Sequence, residues 1–119
     1  MIATPAVMEA AAERLVEGSV DIRVALLMDP AGGLLAAAGS NDDREAAREL
    51  AALGHELVVA ADRAAPEPTV HIEVQTGRGT VFAVRDARWT VVCVAGRLAL
   101  SSLVLYDLRQ ALLELPAAA

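Results

Sequence analysis

An α+β fold, a three-layer α/β/α sandwich around an antiparallel sheet, is what this sequence predicts, and three observations predict it. The hydropathy pattern switches between helical and strand periods in the order α-β-β-α-β-β-β-α. Two of the strands are apolar on both faces, so the sheet needs helices on both sides. A chain of 119 residues that is 55% hydrophobic can build one core without staples, and its single cysteine rules out a disulfide framework. The reading is one domain over 1–119, with its folded core at about 4–115.

The first helix is expected at about Pro5–Glu17. Thr4 can cap it, Pro5 suits a first turn that needs no N–H, and Gly18 can stop it. Val7, Met8, Ala11, Ala12, Leu15 and Val16 recur at helical spacing. Val20–Met28 then alternates, with Val20, Ile22, Val24, Leu26 and Met28 assigned to one face and Ala25 and Leu27 to the other. Asp29-Pro-Ala-Gly-Gly33 is a turn, and Leu34–Ala38 returns as the second strand of a hairpin. Gly39-Ser-Asn-Asp42 ends that strand and caps a long helix at about Asp43–Ala64. Its main apolar face is centred on Leu50, with Ala46, Ala47, Gly54, Leu57, Val58, Ala61 and Ala64 within roughly 80° at about 100° per residue. Three strands follow at Thr69–Thr76, Thr80–Arg85 and Trp89–Ala95, separated by turns at Gly77-Arg-Gly79 and Asp86-Ala-Arg88. Ser101 or Ser102 caps a last helix, about Ser102–Leu115, which Pro116 ends.

The composition excludes several chemistries. All ten basic residues are arginine, so lysine-dependent phosphate loops, pyridoxal Schiff bases and serine–lysine hydrolases are out. A net charge of -6 opposes a general nucleic-acid binder. No stretch suits membrane insertion, since the longest charge-free run, Pro30–Asn41, is broken by Pro30, Gly32, Gly33 and Gly39. Met1–Ala12 has no basic segment ahead of an apolar one, so the expected location is cytoplasmic. His55, His71 and Cys93 have no metal-ligand spacing, and His71 with Glu73 at i, i+2 lacks a third ligand. Cys93 lies in the middle of an apolar strand and reads as buried and unreactive. Asp42-Asp43 sits where a helix dipole favours negative charge. No catalytic residue, metal or cofactor is expected, and the chain is not read as an enzyme.

Surface for other proteins is what remains. The long helix offers small residues at Ala47, Ala51, Gly54 and Val58, which serve equally for core packing or for close approach of another backbone. Ala52, His55 and Val59 lie among its charges, where a solvated face has no need of them. The strand Thr69–Thr76 begins a meander, has no internal proline and carries one charge, Glu73, which is light protection for a sheet edge. An open edge can pair with its own copy across a two-fold axis.

The run Val24-Ala-Leu-Leu-Met-Asp-Pro-Ala-Gly-Gly-Leu-Leu-Ala-Ala-Ala-Gly39, followed by a long Ala/Leu helix, three short strands and a Leu-rich helix, resembles the roadblock family of dynein-light-chain-roadblock and MglB-like domains over about Thr4–Leu115. The resemblance implies a profilin- or roadblock-like sheet of order 2-1-5-4-3, with the second helix on one face and the first and third on the other. It implies a homodimer through the third strand and second helix, and a platform that regulates or scaffolds a small Ras-like GTPase without catalysing a reaction itself. The candidate dimer or partner residues are Arg48, Ala51, Ala52, His55, Val59, Val70, His71, Ile72 and Glu73. Two other readings stand beside it: a PAS- or GAF-like small-molecule sensor, which would need a sizeable internal pocket, and a light-chain-type adaptor of a larger complex.

Overall fold

The computed structural model describes residues 2–39 and 43–117. Helix α1 spans Pro5–Glu17, strands β1 and β2 span Ile22–Met28 and Leu34–Ala38, and helix α2 spans Arg44–Ala64. Strands β3 (His71–Gln75), β4 (Gly79–Arg85) and β5 (Thr90–Gly96) precede helix α3 (Ser101–Glu114). The five strands form one antiparallel sheet in the order β2-β1-β5-β4-β3. Element order and sheet order are those expected.

Local chemistry sets the boundaries. The Thr4 hydroxyl accepts from the Val7 N–H at 3.2 Å, and Gly18 closes α1. Asp43 caps α2 by accepting from the Ala46 N–H at 3.1 Å, whereas the expected contributions of Ser40, Asn41 and Asp42 lie outside the described residues. Asp29 organises the first hairpin by accepting from the N–H groups of Ala31 and Gly33. Gly39 has φ +84°, and a side chain there would run into the Arg23 carbonyl, so glycine is required where β2 ends. At α3 the expected cap is not made. Leu100 occupies the N-cap position without a side-chain bond, and the Ser101 hydroxyl instead donates to the Glu73 carboxylate at 2.7 Å.

The sheet has a core on each face. Against α1 and α3 lie Ala25, Leu27, Phe82, Val84, Val91 and Cys93; against α2 lie Leu26, Met28, Ala83 and Val92. Burying a leucine such as Leu26 or Leu27 in this way contributes about 1.5–3 kcal/mol. The single alternation expected along Val20–Met28 does not hold. Ile22 pairs with Ala95 and Val24 with Val94, so Arg23 is an extra residue, a β-bulge. A one-residue slip exchanges faces, and Ile22 accordingly packs with Ala25 and Leu27 rather than with Leu26 and Met28. Val20 precedes the strand and is fully exposed.

The centre of α2 also differs from the expectation. Its buried residues are Ala47, Ala51, Gly54 and Val58, while Leu50 and Leu57 are half-buried and Ala46 and Ala64 are exposed. The small side chains let α2 lie close on its own sheet: a Cβ on Gly54 would sit 2.9 Å from a Val92 methyl. Close approach to this chain's own β5 is therefore what these residues provide. Ala51 is 3% exposed and packs in the core beneath α2, so, unlike the expectation, it does not face a partner.

Candidate protein-interaction surface

Helix α2 presents three parallel stripes, each at alternating spacings of four and three. Ala47, Ala51, Gly54 and Val58 form the buried one. On one flank run Arg48, Ala52, His55 and Val59. On the other run Ala46, Leu50, Leu53, Leu57, Ala60 and Ala64. The first flank faces the β2 side of the sheet. The His55 ring lies over Gly32 in the β1–β2 turn, and Arg48 lines a groove with Leu34–Ala37. The second flank therefore faces β4 and β3.

Sequence reasoning misses this second flank, because a helical wheel centred on Leu50 places Ala46, Leu57 and Ala64 on the core-facing side and passes over Leu53 and Ala60. Its signal is the unbroken 4-3-4-3-4 spacing from Ala46 to Ala64, the pattern of a helix–helix seam. Leu53 remains 43% exposed, a large apolar group left in water on a charged helix. Leu50 packs only at the margin of the α2 layer, as do Val24, Ile72 and Val81 of the sheet beneath.

Strand β3 is an outer strand of the sheet. Its register places His71, Glu73 and Gln75 opposite Val84, Phe82 and Thr80, so these three share the α1/α3 face. Ile72 and Val74 point to the α2 face and are half-buried; Val70, just ahead of the strand, is 65% exposed. An ion pair fastens the entry to β3. Arg85 pairs with Asp62 near the end of α2, the Arg85 Nε–H donates to the Thr69 carbonyl at 2.6 Å, and the Thr69 N–H donates to Asp62 at 2.7 Å. The Arg85 guanidinium and the Thr69 N–H and hydroxyl hold the Asp62 carboxyl down at about 2.

The structure thus brings Val70, His71, Ile72 and Glu73 together on one sheet edge, and places Arg48, Ala52, His55 and Val59 on the α2 flank that faces the opposite edge. Between them they do not form one patch. Leu50, Leu53 and Leu57 adjoin the β3 side. His71 and Glu73 are both exposed, Glu73 is engaged by Ser101, and among the described residues no three His, Cys, Asp or Glu side chains converge as metal ligands. Burial pushes the Cys93 thiol up to about 12. Among the described residues no helix is long and apolar enough to cross a membrane.

No protein-family model matches the sequence, and no curated protein matches it. Solved structures do. A Roadblock/LC7 domain from Streptomyces avermitilis superposes with a TM-score of 0.80 at 18% identity, over 87% of this chain and 90% of that one. MglB of Myxococcus xanthus gives 0.73 at 20% identity, over 90% and 83%. The gliding protein MglB from Thermus thermophilus gives 0.67 at 17% identity, over 93% and 87%.

Proposed function

We propose, from the roadblock fold that this chain adopts, that it is a non-catalytic homodimer that regulates or scaffolds a small Ras-like GTPase. The observation that carries the dimer is the apolar flank of α2, Leu50, Leu53 and Leu57, running beside an open β3 edge. Pairing β3 with its own copy would satisfy the outward backbone groups of that edge. The same two-fold axis would set two α2 seams side by side and take Leu53 out of water. Val70 and Ile72 belong to this interface, with His71 and Glu73 on the other face of the joined sheet. Arg48, Ala52, His55 and Val59, on the far flank, are left to a further partner. The GTPase role rests on the resemblance to MglB-like domains, and one solved MglB has a tetrameric arrangement, so self-association has a precedent on this fold.

Light scattering at low micromolar concentration tests the dimer: a mass near twice 12.4 kDa is expected, and a monomer overturns it. GTP-loaded small Ras-like GTPases of the source organism, followed by phosphate release, test the regulator. A bound complex with a changed hydrolysis rate is expected from one of them. Neither binding nor a rate change with any would remove the regulator and leave the dimer. Four depressions of 240–340 Å³ in the described residues are surface grooves between helices or beside strands, and none of these four favours the sensor reading.

A further inference from the structure

The sheet has a second outer strand, β2, on the side away from β3. Its residues are Leu-Leu-Ala-Ala-Ala, with no charge and no proline to block pairing. Half the backbone groups of an outer strand point away from the sheet, and among the described residues no other backbone group bonds to those of Leu34–Ala38. A bulge at Leu35 interrupts the ladder, but Ala36, Ala37 and Ala38 stay in register with Leu27, Leu26 and Ala25. The alanine side chains project to the two faces of the sheet and fill little of the space above and below the edge.

Beside this edge runs a groove of about 300 Å³. One wall is α1, which contributes Glu9 and Glu13; the other is α2, which contributes Arg44 and Arg48. All four side chains are exposed, and the two ion pairs found among the described residues are elsewhere. The walls thus carry opposite charge. Residues one helical turn apart, such as Glu9 and Glu13, have Cβ atoms about 5–6 Å from each other, near the roughly 6.8 Å between alternate residues of a strand. An added strand would send alternate side chains to opposite walls.

We propose that the β2 edge receives an extended segment of a partner protein as a sixth strand. Its basic residues at i and i+2 would face Glu9 and Glu13, and its acidic residues at i+1 and i+3 would face Arg44 and Arg48. Main-chain hydrogen bonds supply affinity and the two charged walls supply the sequence preference. This surface lies opposite the β3 edge and does not depend on the dimer or on a GTPase.

The probe is a capped octapeptide of alternating lysine and glutamate, titrated into ¹⁵N-labelled protein. Amide shifts confined to Leu34–Ala38 and the facing turns of α1 and α2 are expected. N-methylation of every second peptide residue is expected to weaken binding at least about tenfold, because it removes strand donors. The double variant Glu9→Lys, Glu13→Lys is expected to weaken the unmodified peptide by a similar factor, with its dispersed spectrum reporting an intact fold. No shifts at 34–38 up to millimolar peptide, shifts at His71–Gln75 instead, or indifference to N-methylation would each overturn the proposal. So would peptide-free shifts at 34–38 that grow with protein concentration, since a second copy would then be the occupant.

Discussion

Gly54 shows how one side chain decides the distance between two layers. Glycine inside a helix costs about 1 kcal/mol relative to alanine, yet here it lies over the fully buried Val92. Gly54→Ala would recover the helix term and crowd a packed, β-branched neighbour, which costs about 1–3 kcal/mol. A net loss of about 1 kcal/mol is expected, read as a lower urea midpoint at unchanged slope. Adding Val92→Ala relieves the crowding, so the double variant should lose less than the sum of the two single losses. Asp62 supplies a second case, through protons. Its folded pKa is lowered from 3.8 to about 2 by Arg85 and Thr69, so the folded state prefers it ionised. That contribution is complete above about pH 4 and is lost as pH falls towards 2. Asp62→Asn should therefore flatten the fall in stability across that window, measured by urea titrations at stepped pH. Such pairings are not legible in the sequence: Asp62 and Arg85 stand on different elements, and so do Arg88 and the carbonyls it caps at Leu112 and Leu115. Nothing local announces either.

At the scale of an element, periodicity is readable but its phase is not. Helix α2 is expected within one residue of its observed start and at its observed end, because a cluster of capping residues and the apolar spacing are local signals, although the cap is Asp43, which the expectation counted as the first helical residue. Its small residues, however, put the buried centre at Ala51 and Gly54 rather than at Leu50. Bulk usually marks a core, and here closeness does. The β1 bulge is a similar failure, since an inserted Arg23 reverses a face without disturbing the hydrophobic count. The two flanks of α2 can be separated by experiment. Leu53→Glu, on the β3 side, should convert an associated protein to a monomer with an unchanged far-ultraviolet spectrum. Ala52→Glu, on the β2 side, should leave the mass as it was. Equal effects from both, or none from either, would remove the seam from the interface.

For the whole molecule, the three-layer architecture is legible in the residues, because doubly apolar strands demand cover on both sides. Short turns suggest the β1–β2, β3–β4 and β4–β5 pairs. The β1–β5 pairing and the placing of each helix come only with the family resemblance, since no local signal marks a contact between elements so far apart in the chain. Which edges stay open follows from the order; what occupies them does not, because an edge strand looks the same in sequence whether or not a partner covers it. Association links stability to concentration, so the thermal midpoint should rise with protein concentration in the parent chain and stay flat in Leu53→Glu. The solitary Cys93 makes these experiments cleaner than they would otherwise be. It is fully buried mid-sheet, with a thiol that stays protonated at neutral pH. The folded chain is therefore silent towards maleimides and spin labels, and a cysteine placed at position 35, 53 or 70 would be the sole reactive thiol. One background-free probe on the β2 edge, one on the α2 seam and one beside β3 would report each surface separately, by distance and by solvent access, without any cysteine having to be removed first.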